Sequence, residues 1–442
     1  MSNSISSKLK SDSFWVAFGF AVNATSSLFI SIILARVLDP ESVGLYFLAF
    51  SISIIFSGIL QFGFNITVVR LISASIANNK LSELRNTLIN LLLLIMFLSG
   101  LLAFFFMTDM ASDFFKLIQK NQSLSTYIPL IGFWVLFISI RSYLAEVFRG
   151  FHDIKMAAIY QRILPNIVVV IAIFLFYIAD IQMDLYFVLY MSMITNALLV
   201  LFALYPFYKK ISVLPKGQQV SLMPMIHSSA PIAVGQIFQF IVTQTPLWVL
   251  GAVSTADKVA DYGVAFRLAA VISLPLLIAN NVVMPHVSKY HSTDNTESLN
   301  KLIRYAVTIT SFISIALLLV YVVLGEEVLV AFYGPGYNAA YIILIIIGCA
   351  HVVNVASGSP AVVLAMACKE KYVFYSSVLA AIVTFLLSIV VIPEYGLIGA
   401  AFTTAFGLIF LNALLVFFSY KILGYKTYLS INSVQTTIKR VL

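Results

Sequence analysis

The sequence predicts an all-α polytopic membrane protein of about twelve transmembrane helices in two six-helix halves. Three observations carry that prediction. The 442-residue chain is 61% hydrophobic and only 10% charged, with a mean hydropathy of +1.01. That is more apolar surface than a water-soluble domain can hide. The apolar stretches are unbroken and about twenty residues long, enough to cross a bilayer core as a helix. They lack the alternating ten-residue pattern of a membrane barrel, and in lipid only helices and closed barrels pair every backbone N–H and C=O. Finally, lysine and arginine segregate to alternate connections.

The elements follow in order. Met1–Ser13 is polar and carries Lys8 and Lys10. The apolar run behind it is too long for a signal peptide and lacks a clear small-residue cleavage site, so it reads as a retained cytoplasmic tail. Spans are expected near Phe14–Leu38, Val43–Val69, Leu84–Met107, Tyr127–Phe148, Met156–Ala179 and Leu185–Tyr208. A second set is expected near Met223–Val253, Tyr262–Pro285, Leu302–Leu324, Ala339–Met366, Tyr372–Ile392 and Leu397–Phe418. Between them, a polar segment with Pro215 and Gly217 divides the chain into residues 1–208, a cytoplasmic linker over 209–221, and residues 222–442.

Alternate connections carry roughly twenty Lys and Arg on one side, among them Arg70, Arg149 and Arg162, against Arg36, Lys116, Lys120 and Lys258 on the other. Cytoplasmic loops are the ones enriched in these residues, which places both termini in the cytoplasm. The far side is acidic, with Asp39, Glu41, Asp180 and Asp184 among others. The net charge of +8 is therefore a topology signal, and no nucleic-acid surface is expected. The halves also look related. Val43, Tyr46, Ala49 and Phe50 open the second span, and Val259, Tyr262, Ala265 and Phe266 open the eighth at one constant offset. Six spans return the chain to its starting side, so such a repeat is parallel, a recognised transporter plan.

Cys349 and Cys368 give no disulfide framework and no metal spacing. There is no phosphate-binding Gly-Lys-Ser or Gly-Lys-Thr loop, no metal cluster and no nucleophile elbow. No enzyme activity and no cofactor is expected. Energy is left to an ion gradient, the membrane potential or the substrate gradient.

Leu34-Ala35-Arg36-Val37-Leu38-Asp39-Pro40-Glu41-Ser42-Val43-Gly44-Leu45-Tyr46 resembles the first hairpin of the Wzx-type polysaccharide (O-antigen) flippases, in the superfamily that also holds the MATE exporters. Phe148-Arg149-Gly150-Phe151, Tyr333-Gly334-Pro335-Gly336-Tyr337 and the stretch from Ile392 to Ala401 match in order and spacing. The resemblance implies two six-helix bundles forming a V around a central cavity. It implies a flippase moving undecaprenyl-pyrophosphate-linked oligosaccharide across the bacterial inner membrane. The partners it implies are that lipid-linked glycan, membrane lipids and other polysaccharide-assembly proteins. The rivals are a MATE-like ion-coupled drug or cation antiporter, for which an acidic cavity is expected, and a polysaccharide polymerase or ligase. The longest outer connection, about Thr108 to Thr126, is short for the chemistry of the latter.

A pyrophosphate-bearing substrate requires fixed positive charge in a shielded polar cavity, and arginine suits phosphate through its two-pronged donor geometry. Arg141 lies about two turns inside the fourth span, and Arg267 about one to two turns inside the eighth. Each either lines a cavity or has a local role: headgroup snorkelling for Arg141, pairing with Asp261 for Arg267. Arg70 and Arg149 sit at span ends, where charge mainly sets topology. Glu146 lies about 140° around the helix from Arg141, so the two are poor partners; it is either an ion-coupling carboxylate or an interfacial acid. Gln236, Gln239 and Thr243 share one face of the seventh span, with Gln244 beside it and Pro246 as a bend candidate. These groups either bind sugar hydroxyls or bond neighbouring helices. His351, Asn354, Ser357 and Gly358 recur at helical spacing in the tenth span; His351 reads as a polar-contact residue rather than a metal ligand. Asn23, Gln61 and Asn65 complete the candidates.

Overall fold

The computed structural model describes residues 2–78, 81–118, 122–215, 222–280, 296–367 and 369–429. Lys80, Lys120, Lys216, Gly217, Pro285, Lys289, Cys368, Lys439 and Arg440 lie outside the described residues, as do the side chains of Lys8, Lys10 and Lys301. Among the described residues the fold is helical throughout. Eleven helices among the described residues are long and apolar enough to cross a membrane. One of them, Glu370–Leu423, turns back on itself at Gly396 and so contains two spans, giving twelve. The protein is an all-α, multi-pass membrane protein of two helical bundles. Its two compact units are residues 1–237 with 255–257, and residues 238–254 with 258–442. That boundary falls inside a helix, at Ile237 and Phe238, rather than at the polar segment over 209–221.

The first unit contains α1 (Ser2–Val37), α2 (Pro40–Leu60), α3 (Phe64–Ala77), α4 (Leu81–Phe106), α5 (Asp109–Ile118), α6 (Ile128–Gly150), α7 (Ile154–Ala158), α8 (Leu164–Ile178) and α9 (Leu185–Ser212). The stretch expected as a polar tail is helical from Ser2 and continuous with the first span. The second span is shorter than expected. α2 ends at Leu60, the chain passes through Phe62 at φ 45° and Gly63 at φ 72°, and α3 starts as a separate helix. Gly63 has no room for a side chain, because its Cβ would meet the Ser229 carbonyl. α6 is the hub, packed against α2, α3, α4 and α9. Tyr143 is buried on it and donates to the Leu88 carbonyl at 2.7 Å.

The hairpin between α1 and α2 is built by its own residues. Asp39 caps α2 by accepting from the Ser42 N–H at 3.0 Å, with Pro40 at the first helical position and Glu41 in the first turn. Partial burial by itself would raise the Asp39 carboxyl, but hydrogen bonds from Ser42 outweigh it and hold the group below its ordinary value. Asp39→Ala is expected to cost about 1 kcal/mol of stability. Because the folded carboxyl is depressed, its contribution exists above the unfolded pKa and is lost as pH falls through the folded one. Melting curves of wild type and variant should therefore differ at neutral pH and converge in acid.

The second unit contains most of α10 (Met223–Val253), α11 (Ala256–Ala270) with a 3-10 turn at Val271–Ser273, α12 (Thr296–Tyr333), α13 (Ala340–Ser357), α14 (Pro360–Met366) and α15 (Glu370–Leu423). α10 runs helically through Pro246. The break in α11 is held from outside: Ser314 donates to the Ile272 carbonyl at 2.6 Å and Tyr321 to that of Leu268 at 3.2 Å.

The repeat is visible in three dimensions. Val43 and Val259 are each the fourth residue of their helix, α2 and α11. Both valines, both tyrosines and both alanines of the motif are buried. Tyr46 stacks on Phe50 at 6.2 Å and 23°, and Tyr262 on Phe266 at 6.0 Å and 18°. The two halves thus open their second spans with the same packing unit.

Candidate functional site

The polar centre of the first unit is built around a defect in the fifth span. Between α7 and α8 the helix widens to a π turn at Ile159–Ile163, where the Leu164 N–H reaches back to the Ile159 carbonyl. That register leaves the Tyr160 carbonyl without its usual helical donor. Pro165 has no N–H, so the carbonyl four residues earlier, on Gln161, loses its donor as well. Arg141 supplies both. Its Nη1 donates to the Tyr160 carbonyl and, at 3.1 Å, to that of Gln161, while its Nε donates to Asn196 Oδ1 at 2.8 Å. Asn196 is in turn anchored through Nδ2 to the Ser192 carbonyl at 2.7 Å. Arg141 is therefore buried and bonded to α9 and the π turn, not extended towards headgroups.

Beside this clamp runs a side-chain relay. Gln161 Nε2 donates to Ser142 Oγ at 3.0 Å, and Ser142 donates to Gln61 Oε1 at 3.1 Å. The relay joins the π turn to the α2–α3 break. Arg162, the next residue, is half-buried with its guanidinium 3.5 Å from the Phe20 ring centroid, a cation–π contact. Counted by sequence among cytoplasmic loop charges, Arg162 in fact lies about two turns inside the Ile154–Ile178 span. The missed signal was its place beyond Met156, next to Gln161 and Pro165. Glu146, nearly buried, pairs with Arg149 at 2.8 Å and also feels the charge of Arg162. Its ion-pair partner is Arg149, on its own helix, rather than Arg141. Asn166 donates to Asn23 at 2.8 Å, so α1 and α8 present polar groups to each other.

Arg70 is exposed in the middle of the separate helix α3, not at the end of the second span where the sequence placed it. Asn65 accepts from the neighbouring Ile66 N–H, at 3.0 Å.

In the second unit, Arg267 sits deeper than expected. α11 begins at Ala256, so Arg267 lies about three turns inside, near the middle of the Ala256–Asn280 span. On α13, Asn354 Nδ2 donates to Ser273 Oγ at 3.2 Å, and the same hydroxyl is 2.8 Å from His351 Nδ1. Among the described residues no group of side chains could hold a metal ion. On α10, Gln236 is half-buried and Gln239 exposed; Thr243 donates back to the Gln239 and Phe240 carbonyls at 3.2 and 3.3 Å.

The fold has solved relatives. A MATE family multidrug resistance transporter of the MOP superfamily, in an inward-facing conformation, superposes with a TM-score of 0.72 at 14% identity, covering 91% of this chain and 95% of that one. The MATE multidrug transporter DinF-BH gives 0.70 at 17% identity, covering 94% and 95%. A MOP superfamily transporter from Pyrococcus furiosus, described as having a binding pocket of reverse polarity, gives 0.68 at 14% identity, covering 94% and 95%. No curated protein matches by sequence. The model of the polysaccharide biosynthesis protein family matches residues 9–291, which takes in the first unit from its ninth residue on, with its π turn, and reaches past the α11 break. With that match over more than half of its length, the chain belongs to the polysaccharide biosynthesis protein family, and its fold is the one seen in the MATE-type transporters.

Proposed function

We propose that this chain is a flippase that carries undecaprenyl-pyrophosphate-linked oligosaccharide repeat units across the bacterial inner membrane by alternating access, with both termini in the cytoplasm. The carrying observation is the sign of the charge deepest in the spans. Arg141, Arg162 and Arg267 lie about two to three turns inside their helices, whereas Glu146 and Asp261 lie nearer the ends. Charged groups at such depth face the bundle interior or a polar cavity rather than lipid, and the sign of those whose donors are not spent on the protein selects the cargo. Positive charge suits a pyrophosphate; a cationic drug needs the opposite.

The arginines divide the work. Arg162, half-buried and held by an aromatic face, is the phosphate ligand of the first unit. Arg141 is a positioning residue, because its donors are committed to the π turn that aims Arg162. Arg267 is the counterpart in the second unit. Gln236, Gln239 and Asn354 offer amides to sugar hydroxyls, and Arg70 acts as an orientation charge. Glu146, between Arg149 and Arg162, is the carboxylate placed to couple a proton to release of the anion.

Expression in a bacterial strain lacking its own O-antigen flippase should restore surface polysaccharide. Arg162→Ala should reduce it at least about tenfold at wild-type membrane abundance, with Arg162→Lys intermediate because a point charge replaces a fork. Normal polymer from Arg162→Ala would sink the assignment. The solved relatives of this fold include multidrug transporters, which keeps the antiporter as the second reading. Efflux of a fluorescent cation by this chain, without any restored polymer, would put it first.

A further inference from the structure

Spans eight and ten of the second unit meet along a polar seam. Phe266, Ser273 and Asn280 are spaced by seven on the eighth span and so lie along one side of it. Facing them on the tenth are His351, Asn354 and Ser359. The Phe266 and His351 rings are 6.3 Å apart, Ser273 joins both His351 and Asn354, and Ser359 donates to Asn280. Phe266, Ser273, Asn280 and Asn354 are half-buried, and both helices break along the seam, at Val271–Ser273 and at Gly358. Half-exposed hydroxyl and amide groups at this depth are poorly suited to hydrocarbon and mark a water-accessible face.

One atom of the seam is left over. His351 is 9% exposed, and its Nε2 is buried with no hydrogen-bond partner. The hydrogen-bond pattern restricts what would complete it. Ser273 Oγ already accepts from Asn354. If the Ser273 proton goes to His351 Nδ1, then Nε2 carries a hydrogen and needs an acceptor. In the other tautomer Nε2 is the acceptor and needs a donor. A hydroxyl serves either tautomer. A phosphate oxygen serves only the first, and an ammonium only the second. An aromatic ring beside it, Phe266, offers a face for the C–H side of a pyranose.

We infer that this seam is a sugar-reading subsite: a hydroxyl of the carried glycan takes His351 Nε2 when the seam opens at its two helix breaks, with Phe266 under the sugar ring and Ser273 and Asn354 holding the imidazole. The inference rests on the flippase reading above and adds to it a place where the glycan, rather than its pyrophosphate, is recognised.

Binding of two lipids to the purified full chain tests it. One probe is undecaprenyl pyrophosphate, which has no sugar. The other is the undecaprenyl-pyrophosphate-linked glycan extracted from the bacterium that encodes this chain. Wild type should bind the glycan-bearing lipid about tenfold more tightly, the discrimination expected when a site's polar atom is otherwise left unpaired. His351→Leu should bring the ratio close to one while leaving undecaprenyl pyrophosphate affinity unchanged. His351→Gln, whose amide nitrogen can reach the same place, should recover part of the preference. Ser273→Ala, which frees the imidazole to rotate, is the second variant should His351→Leu not fold. An unchanged ratio in His351→Leu, or in Ser273→Ala if the first variant is unstable, overturns the inference. Equal weakening of both lipids also overturns it, because the seam would then only hold two spans together. If wild type binds neither lipid, the flippase reading falls and the subsite with it; if it binds both equally, the flippase reading stands and the subsite alone falls.

Discussion

Arg141→Ala is expected to lower the stability of the first unit by about 2–4 kcal/mol, because one buried and one part-buried carbonyl lose their charged donor. The readout is a melting temperature several degrees lower in detergent and a reduced membrane level. The carbonyls of Tyr160 and Gln161 depend on Arg141 for separate reasons. The π register displaces one donor, and Pro165 removes the other. This makes a second substitution informative. In Pro165→Ala the restored N–H can reach the Gln161 carbonyl, so the arginine becomes partly redundant. The double variant should therefore be more stable than the sum of the single effects predicts, by about 1 kcal/mol in a double-mutant cycle. Strict additivity would mean that Arg141 does not act through the π turn. Arg162→Ala, which removes no such bond, should leave melting near wild type while transport falls. The two arginines then separate cleanly, one acting through structure and the other through cargo.

Gly358→Ala should be the most damaging single-methyl change in the second unit. Gly358 has φ 73° and ψ −135°, a conformation that strains an L side chain by about 1–3 kcal/mol. Its Cβ would also overlap the Thr427 carbonyl. Residues after the twelfth span fold back to this point for a reason written in the sequence. Pro360 deprives the Ala356 carbonyl of its helical donor, and the Leu429 N–H supplies the bond at 2.8 Å. Tyr425 packs alongside with Ile303, Val307 and Val363. A methyl at Gly358 pushes this strap away and leaves Ala356 unpaired. The expected result is a marked drop in melting temperature and faster proteolysis near the end of the chain. Gly334→Ala is the control, since Gly334 has φ 98° but nothing within 4 Å of its Cβ. It bears the conformational strain alone, so it should be clearly milder. Equal effects would show that the overlap with the strap is unimportant.

How much of this was legible in the chain differs by level. The class of fold was, because twenty-residue apolar runs and the absence of alternation leave helices as the only solution in lipid. Span boundaries came within a few residues wherever a cap or proline marks the helix start, as at Asp39-Pro40 and Asp184. They were less accurate at the α2–α3 break, where Gln61-Phe62-Gly63 lacks a charged or proline marker and the apolar pattern continues. The repeat was legible as four residues at one offset, and its burial and ring stacking confirm that it marks a packing unit. The family was legible from the order of loose motifs.

The candidate site was legible as a set of residue types but not as an arrangement. Counting charges by loop put Arg162 with the cytoplasmic lysines, and counting turns from a late helix start put Arg267 too near the surface. Composition and periodicity say that an arginine is inside a span. They do not say whether its donors are already taken. That depends on which carbonyls a distant helix leaves unpaired, as Tyr160 and Gln161 do for Arg141, and on which ring lies beneath it, as Phe20 does for Arg162. The orphan nitrogen of His351 is of the same kind, visible only once Ser273 is known to hold the other nitrogen. The sequence by itself therefore determined the number of spans, the segregation of charge and the family, since these follow from local hydropathy and residue order. Only the tertiary structure decided which polar groups are spent on the protein and which are not, because hydrogen bonds between helices join residues far apart in the chain, 19 positions for Arg141 and Tyr160 and 143 for Asn166 and Asn23, that no local pattern connects.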